Sequence, residues 1–140
     1  MPDSKPAGVS AADLDALRAS LDGDAVVRGD SAWDAARQAW NLVAVQEPAL
    51  VVMAESAGDV AATVGFASDQ GLQIAPQSTG HGAAPLADLD SAVLLKTSRM
   101  AAVEIDPGDG VASVGAGARW PTWSRSASTR AWSSWCPRAA

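Results

Sequence analysis

Residues 73–84 read Gln-Ile-Ala-Pro-Gln-Ser-Thr-Gly-His-Gly-Ala-Ala and place the chain's only histidine, His81, between Gly80 and Gly82. A glycine-flanked loop can turn several backbone N–H groups toward one anion, because no Cβ stands in the way. Ser78 and Thr79 add hydroxyl donors. One imidazole in such a loop can act as a nucleophile or as a contact to a cofactor. Pro76, Gln77, Ser78, Thr79, Gly80, His81 and Gly82 are therefore the candidate site. The chemistry they suggest is a phosphate-bearing cofactor held by main-chain groups and touched by one histidine. The plainer reading is a tight turn with a surface histidine.

Other chemistries fit the residues less well. No G-x-G-x-x-G opens a helix here, and no Gly-Lys-Ser/Thr follows the loop, so neither nucleotide fingerprint is present. Ser78 and His81 stand three apart without the G-x-S-x-G of a nucleophile elbow, which weakens a hydrolase reading. His81 lacks partners for a metal, since Asp88 and Asp90 read as a solvated turn. One histidine and one cysteine, Cys136, exclude the usual structural zinc sites and any internal disulfide.

The elements that position the loop are legible on either side. Ser10 and Asp13 read as an N-cap and an acidic first turn, with Leu14, Leu17 and Leu21 at helical spacing and Gly23 as the stop. Ala25-Val26-Val27 is a short strand. Residues 31–40 read as a helix or turn carrying Trp33, Ala36 and Trp40 on one face, with both tryptophans expected in the core rather than stacked on a cofactor. Leu50-Val51-Val52-Met53 is an apolar run suited to a buried parallel strand. Ser56 to Asp59 resembles a capping box with Asp in place of Glu, and opens a helix carrying Val60, Val64 and Ala67 that Gly71 closes. Leu72 to Ala75 is the next strand. The β-α-β pattern predicts a right-handed crossover and a parallel pair, with the loop at the C-terminal strand end where ligands gather. Ala92 to Leu95 is strand-like, and Ala102 to Val114 reads as a hairpin around Pro107-Gly108-Asp109-Gly110. The expected fold class is α+β: a parallel β-α-β layer followed by antiparallel strands.

Composition bounds the partners. The chain has 140 residues, 48% of them apolar, which suffices for one core. A net charge of −6 argues against nucleic acid. No stretch approaches the roughly 18 apolar residues of a membrane span. No apolar segment follows the first residues, so a signal peptide is not expected and the cytoplasm is the default location.

Five ordered landmarks carry a family resemblance. Ala39-Trp40-Asn41 precedes Glu47-Pro48-Ala49-Leu50-Val51-Val52, similar to a "WN…RPALIV" stretch. Ser56 to Gly71 fits the helix that follows it. Pro76 to Gly82 fits a flavin loop. Leu94-Leu95-Lys96-Thr97-Ser98-Arg99-Met100 resembles "LDLSRM", and Val114-Gly115-Ala116-Gly117-Ala118-Arg119-Trp120 resembles "VGAGARW". Residues 26–120 thus resemble the start of the FAD-binding domain, PCMH-type, of berberine-bridge-type flavoproteins in the vanillyl-alcohol-oxidase superfamily. The resemblance implies FAD as cofactor, with the loop on its pyrophosphate and His81 in the position that many members bond to the flavin 8α-methyl. It also implies hydride transfer from a small-molecule substrate to flavin N5, with O₂ or another acceptor reoxidising the flavin. Members often carry Arg and Gly where Gln77 and Thr79 stand. A second flavin link through Cys136 is not carried over. The alternative function is a non-catalytic α/β binding module.

The resemblance divides the chain into a leader and first helix (1–22), the N-terminal part of the FAD-binding domain (23–120) and an aberrant tail (121–140). All sixteen acidic residues and seven of the ten basic ones lie in 1–120, a net of −9, while the tail carries +3. The tail has no Val, Leu, Ile or Met, yet holds Trp123, Trp132 and Trp135, half of the tryptophans. Such a segment cannot complete a sheet core. A frameshift accounts for it. Trp-Ala-Asp-Val-Val-Glu written TGG GCC GAC GTG GTC GAG, less one G, reads TGG CCG ACG TGG TCG AG, which is Trp120 to Arg125. On this reading the chain is an incomplete fragment of low stability that retains FAD weakly or not at all and is inactive alone. A natural disordered tail is the competing account.

Overall fold

The computed structural model describes residues 9–84, 89–106 and 108–119. They fall into two compact units, one within residues 1–99 and one within 100–140. The first unit contains α1 (Ala11–Ser20), β1 (Asp24–Val26), α2 (Trp33–Arg37), β2 (Leu50–Met53), α3 (Ala57–Gln70), β3 (Gln73–Gln77) and β4 (Ala92–Lys96). The second contains the hairpin β5 (Val103–Asp106) and β6 (Val111–Val114).

The four-stranded sheet of the first unit has the order β1-β2-β4-β3. β2 and β3 both run parallel to β4, and β1 pairs antiparallel with β2. The crossover through α3 is present, but β2 and β3 are not neighbours as expected: β4 lies between them. The central position of β4 suits its composition, because a strand that is apolar up to its closing Lys96 and buried throughout belongs in the interior of a sheet. Leu50, Val51, Val52, Val93 and Leu94 are wholly inaccessible to solvent. Each such side chain contributes about 1.5–3 kcal/mol by leaving water.

The two sheet faces are filled differently. Val51, Leu94 and Ala75 pack with Val26, Trp33, Ala36, Leu89 and Ala92 in one apolar cluster. Leu50, Val52, Val93 and Leu95 alternate to the opposite face, and α3 packs on β3 and β4.

The helix signals are realised with local differences. The Ser10 side chain accepts the Asp13 N–H, and Leu14 and Leu17 are buried, but α1 ends at Leu21 in extended conformation rather than at Gly23. In α3, Ser56 caps the N-terminus and Gly71 closes the helix at φ 65°. The buried face of α3 is Asp59, Thr63 and Ala67, whereas Val64 is exposed. Asp59 explains that phase. Its carboxylate accepts the N–H groups of Glu55 (2.8 Å), Asp22 (2.9 Å) and Gly23 (3.1 Å) and the Ser56 hydroxyl (3.2 Å). Burial alone would push its pKa up; those four donors outweigh burial and hold it below the ordinary value.

The hairpin forms as expected, with Val103 opposite Val114 and Asp106 opposite Val111. Its turn is fastened by the Asp106 carboxylate, which accepts from Gly108 N (2.8 Å) and Asp109 N (3.2 Å). Parallel strands in one sheet and an antiparallel pair in another make the fold class α+β, consistent with part of a PCMH-type FAD-binding domain. The leader up to residue 8, the tail 121–140 with Cys136, and Asp88 lie outside the described residues.

Candidate functional site

β3 runs two residues further than the apolar pattern indicates, so Pro76 and Gln77 belong to the strand. The loop proper begins at Ser78, at the C-terminal end of the parallel strands. Residues 76–83 line an open pocket of about 280 Å³. All seven candidate residues are thus brought together around one cavity.

The loop is held through its carbonyls. Gln77 O accepts from Thr97 N (3.0 Å), Thr79 O from Trp40 N (2.9 Å) and Gly80 O from Ala83 N (3.3 Å). Among the described residues, the backbone N–H groups of Ser78, Thr79, Gly80, His81 and Gly82 have no acceptor. Five consecutive free donors beside a pocket are a ready anion cradle. Gly80 makes the turn possible. It adopts φ 84°, and a Cβ there would lie 2.8 Å from Ala39 Cβ and 2.9 Å from Gln77 Nε2.

Gln77 is buried, at 8% exposure, and its Nε2 has no partner. A buried amide nitrogen left unpaired costs about 1–3 kcal/mol, so this donor is suited to a ligand group. In register beside it on β4 stands Lys96, also buried, whose Nζ donates to Gln38 O (2.6 Å) and Ala36 O (3.0 Å). Burial lowers the Lys96 pKa from its ordinary value.

His81 is exposed but not loose. Its ring stacks on Trp40 with centroids 4.2 Å apart and planes 12° from parallel. Its Nδ1 lies 2.6 Å from Thr79 Oγ1. Trp40 corrects the expectation of two core tryptophans. Trp33 is buried, whereas Trp40 is 67% exposed and belongs to the site. The reason is that α2 stops at Arg37 and Gln38 turns extended, so helical spacing no longer carries residue 40 inward. Among the described residues no hydrogen bond joins Ser78 to His81; the hydroxyl on the imidazole is that of Thr79. Among the described residues no group of three His, Cys, Asp or Glu could hold a metal. No described helix is long and apolar enough to cross a membrane.

Sequence reasoning missed Trp40 and Lys96 as parts of the site. Trp40 had one signal, its place in the first landmark of the resemblance. Lys96 also lies within a landmark, that of Leu94 to Met100, but a lysine closing an apolar strand reads as a solvated end.

An α+β domain that presents unpaired N–H donors and an oriented imidazole at its parallel strand ends is a cofactor-binding domain. The sequence profile of the family described as FAD binding domain matches residues 48–137, and the chain belongs to that family. (R)-6-hydroxynicotine oxidase of Paenarthrobacter nicotinovorans is 35% identical over 98 residues, which are 70% of this chain and 21% of the relative. Among solved structures, 6-hydroxy-D-nicotine oxidase from Arthrobacter nicotinovorans superposes with a TM-score of 0.68 at 32% identity, covering 77% of this chain and 24% of its own. Glucooligosaccharide oxidase from Acremonium strictum, whose FAD is 6-S-cysteinyl and 8α-N1-histidyl, gives 0.62 at 28% identity, covering 76% of this chain and 23% of its own. The chain spans about a fifth of the length of the curated relative it matches. The resemblance to berberine-bridge-type, FAD-linked flavoenzymes therefore holds, and FAD is the cofactor of the family.

Proposed function

We propose that residues 76–82 hold FAD, with the N–H groups of Ser78 to Gly82 on the pyrophosphate, the Gln77 amide donating to a ligand oxygen, and His81 beside the isoalloxazine. The residues present fit the group. A diphosphate needs several donors converging without side-chain obstruction, and the free N–H run with the orphaned Gln77 Nε2 supplies them. That combination is the observation that carries the reading. Covalent attachment to the flavin is the role this reading gives His81, supported by the histidyl FAD of the glucooligosaccharide oxidase relative. When bound, FAD supplies two-electron redox chemistry, with hydride passing from a small-molecule substrate to flavin N5 and O₂ or another acceptor taking the electrons onward. The chain's own part is to bind and orient the cofactor. These 140 residues by themselves turn over no substrate.

The test is an absorbance scan near about 450 nm of the purified chain, before and after adding FAD and removing the excess. Retained flavin absorbance supports the reading, and absorbance surviving acid precipitation supports attachment through His81. A chain that leaves the flavin spectrum unaltered even in the presence of saturating FAD returns the reading to a non-catalytic binding module. The frameshift at Trp120 stands as a separate proposal. The family match runs across that boundary to residue 137, so resequencing is the deciding measurement. An open frame downstream of an inserted base supports the shift, and its absence refutes it.

A further inference from the structure

We propose that Trp40 is a positioning residue for His81: its indole braces one face of the imidazole and selects the ring orientation that meets the cofactor. The purpose of that orientation rests on the flavin reading, whereas the brace rests on geometry alone. The two rings lie face to face, with centroids 4.2 Å apart and planes 12° from parallel. His81 is exposed, and an exposed side chain ordinarily changes rotamer freely. Turning this one away from the indole forfeits the stack. Aromatic pairs of this kind weight such an equilibrium by about two- to tenfold.

Two further observations single out Trp40. Core packing does not account for a tryptophan there: Trp33 is 7% exposed and serves the core, whereas Trp40 is 67% exposed. What its indole does cover is a face of His81. The indole is also anchored to the loop it braces. Trp40 N donates to Thr79 O at 2.9 Å, and Ala39 packs so closely on Gly80 that a Cβ there would lie 2.8 Å from Ala39 Cβ. Residues 39 and 40 therefore run directly against residues 79 to 81. The pocket itself is lined by residues 76–83 and not by Trp40. The indole thus restrains the imidazole without taking up the space where a ligand would sit. Its contribution is preorganisation, because a site that is in its binding orientation only part of the time binds more weakly by that fraction.

The experiment has two arms, both on the full chain. His81 is the only histidine, so its ring-proton NMR signals are recognised without assignment. Protons held over an indole face are moved upfield by its ring current. The unaltered chain is expected to show His81 ring protons upfield of their positions in the urea-unfolded chain at the same pH. Trp40→Leu should return them to those positions while the amide spectrum stays dispersed, and Trp40→Phe should keep part of the displacement. Ring signals at the unfolded positions in the unaltered chain overturn the proposal, and so do signals that Trp40→Leu leaves in place. The unaltered chain and Trp40→Phe decide the stack even if the leucine variant fails to fold. The second arm is an FAD titration of the unaltered chain, Trp40→Leu, His81→Ala and the double variant. Trp40→Leu is expected to weaken binding by about two- to tenfold, and to change nothing further once His81 is alanine. A loss that persists in the His81→Ala background overturns the positioning role, because the indole then acts on the ligand directly. Upfield ring signals in a chain that binds no FAD refute the flavin reading and support the brace. FAD binding that Trp40→Leu leaves unchanged does the reverse.

Discussion

Gly80→Ala is the sharpest test of how the site is built. A non-glycine residue at φ 84° incurs about 1–2 kcal/mol from the left-handed backbone alone. The added Cβ would also sit 2.8 Å from Ala39 Cβ. Ala39 is buried at 3% exposure and has no long side chain to swing aside. Gln77 Nε2 and Cδ, at 2.9 and 3.0 Å, belong to a buried amide that can yield only by moving. Overpacking of this kind costs about 1–3 kcal/mol. The expected loss is therefore about 2–5 kcal/mol, a large share of the roughly 5–15 kcal/mol that holds a domain together. With an m-value of about 2 kcal/mol/M in urea, the midpoint falls by about 1–2.5 M. The control is Gly82→Ala. Nothing lies within 4 Å of a Cβ there and φ is not positive, so its midpoint should stay near that of the parent. Urea unfolding followed by far-ultraviolet circular dichroism reads both. A Gly80→Ala midpoint equal to the parent's, or a Gly82→Ala loss as large, would refute the packing argument.

Asp59→Asn removes the charge that four donors hold, and is expected to cost about 2–3 kcal/mol; thermal unfolding measures it. Because the folded pKa of Asp59 is lowered, its contribution is full above the unfolded carboxylate pKa and is lost as pH falls through the folded one. The parent should therefore lose stability in acid more steeply than Asp59→Asn. Gln77→Leu should hold or raise urea stability, by up to about 1 kcal/mol, because it removes an unpaired buried Nε2. The same change should weaken FAD retention, and equal retention in a flavin titration would show that the amide is not a ligand. Lys96→Met deletes two charge-assisted bonds to carbonyls while sparing a buried ammonium, for a net loss of about 1–3 kcal/mol. The lowered folded pKa of Lys96 means that the unfolded chain binds more protons between that value and the ordinary lysine pKa. The parent should therefore gain stability relative to Lys96→Met as pH rises through that window, which equilibrium unfolding at a series of alkaline pH values reads.

The parts of the fold legible in the sequence are those with local punctuation. α3 was bounded correctly because Ser56 and Gly71 satisfy orphan groups at its ends wherever the helix packs. The hairpin was legible because its turn residues demand reversal. Strand order was not, because nothing in the run from Ala92 to Lys96 states which ladders it joins; that is decided by burial on both sides. The phase of α3 was misjudged for a related reason. Counting apolar residues selects Val60 and Val64, while the helix buries Asp59 and Thr63. Asp59 is bonded to neighbours 36 and 37 residues earlier in the chain, and Thr63 donates to Asp59 O (2.7 Å). The site loop was readable from glycine spacing, and its residues do gather at one pocket. Trp40 was misplaced because the helical period was extended past a helix that ends at Arg37.

The loop's carbonyls and N–H groups divide the work. A segment that must offer donors to a ligand cannot also use them to hold its own shape. This one is fixed by three carbonyls, those of Gln77, Thr79 and Gly80, while five consecutive N–H groups have no acceptor among the described residues. One tether comes from Trp40, whose place depends on where α2 ends. The carbonyls of Ala36 and Gln38, at that end, are held by the ammonium of Lys96 on the central strand. The imidazole of His81 is thus oriented through Trp40 and α2 from the best-packed strand in the sheet. Rigid elements place functional groups more closely than loops do, and here a loop residue gains that rigidity through one buried lysine. Loosening Lys96 should therefore disturb the ring it never touches, while a change at exposed Val64, on the solvent face of α3, should leave that ring where it is.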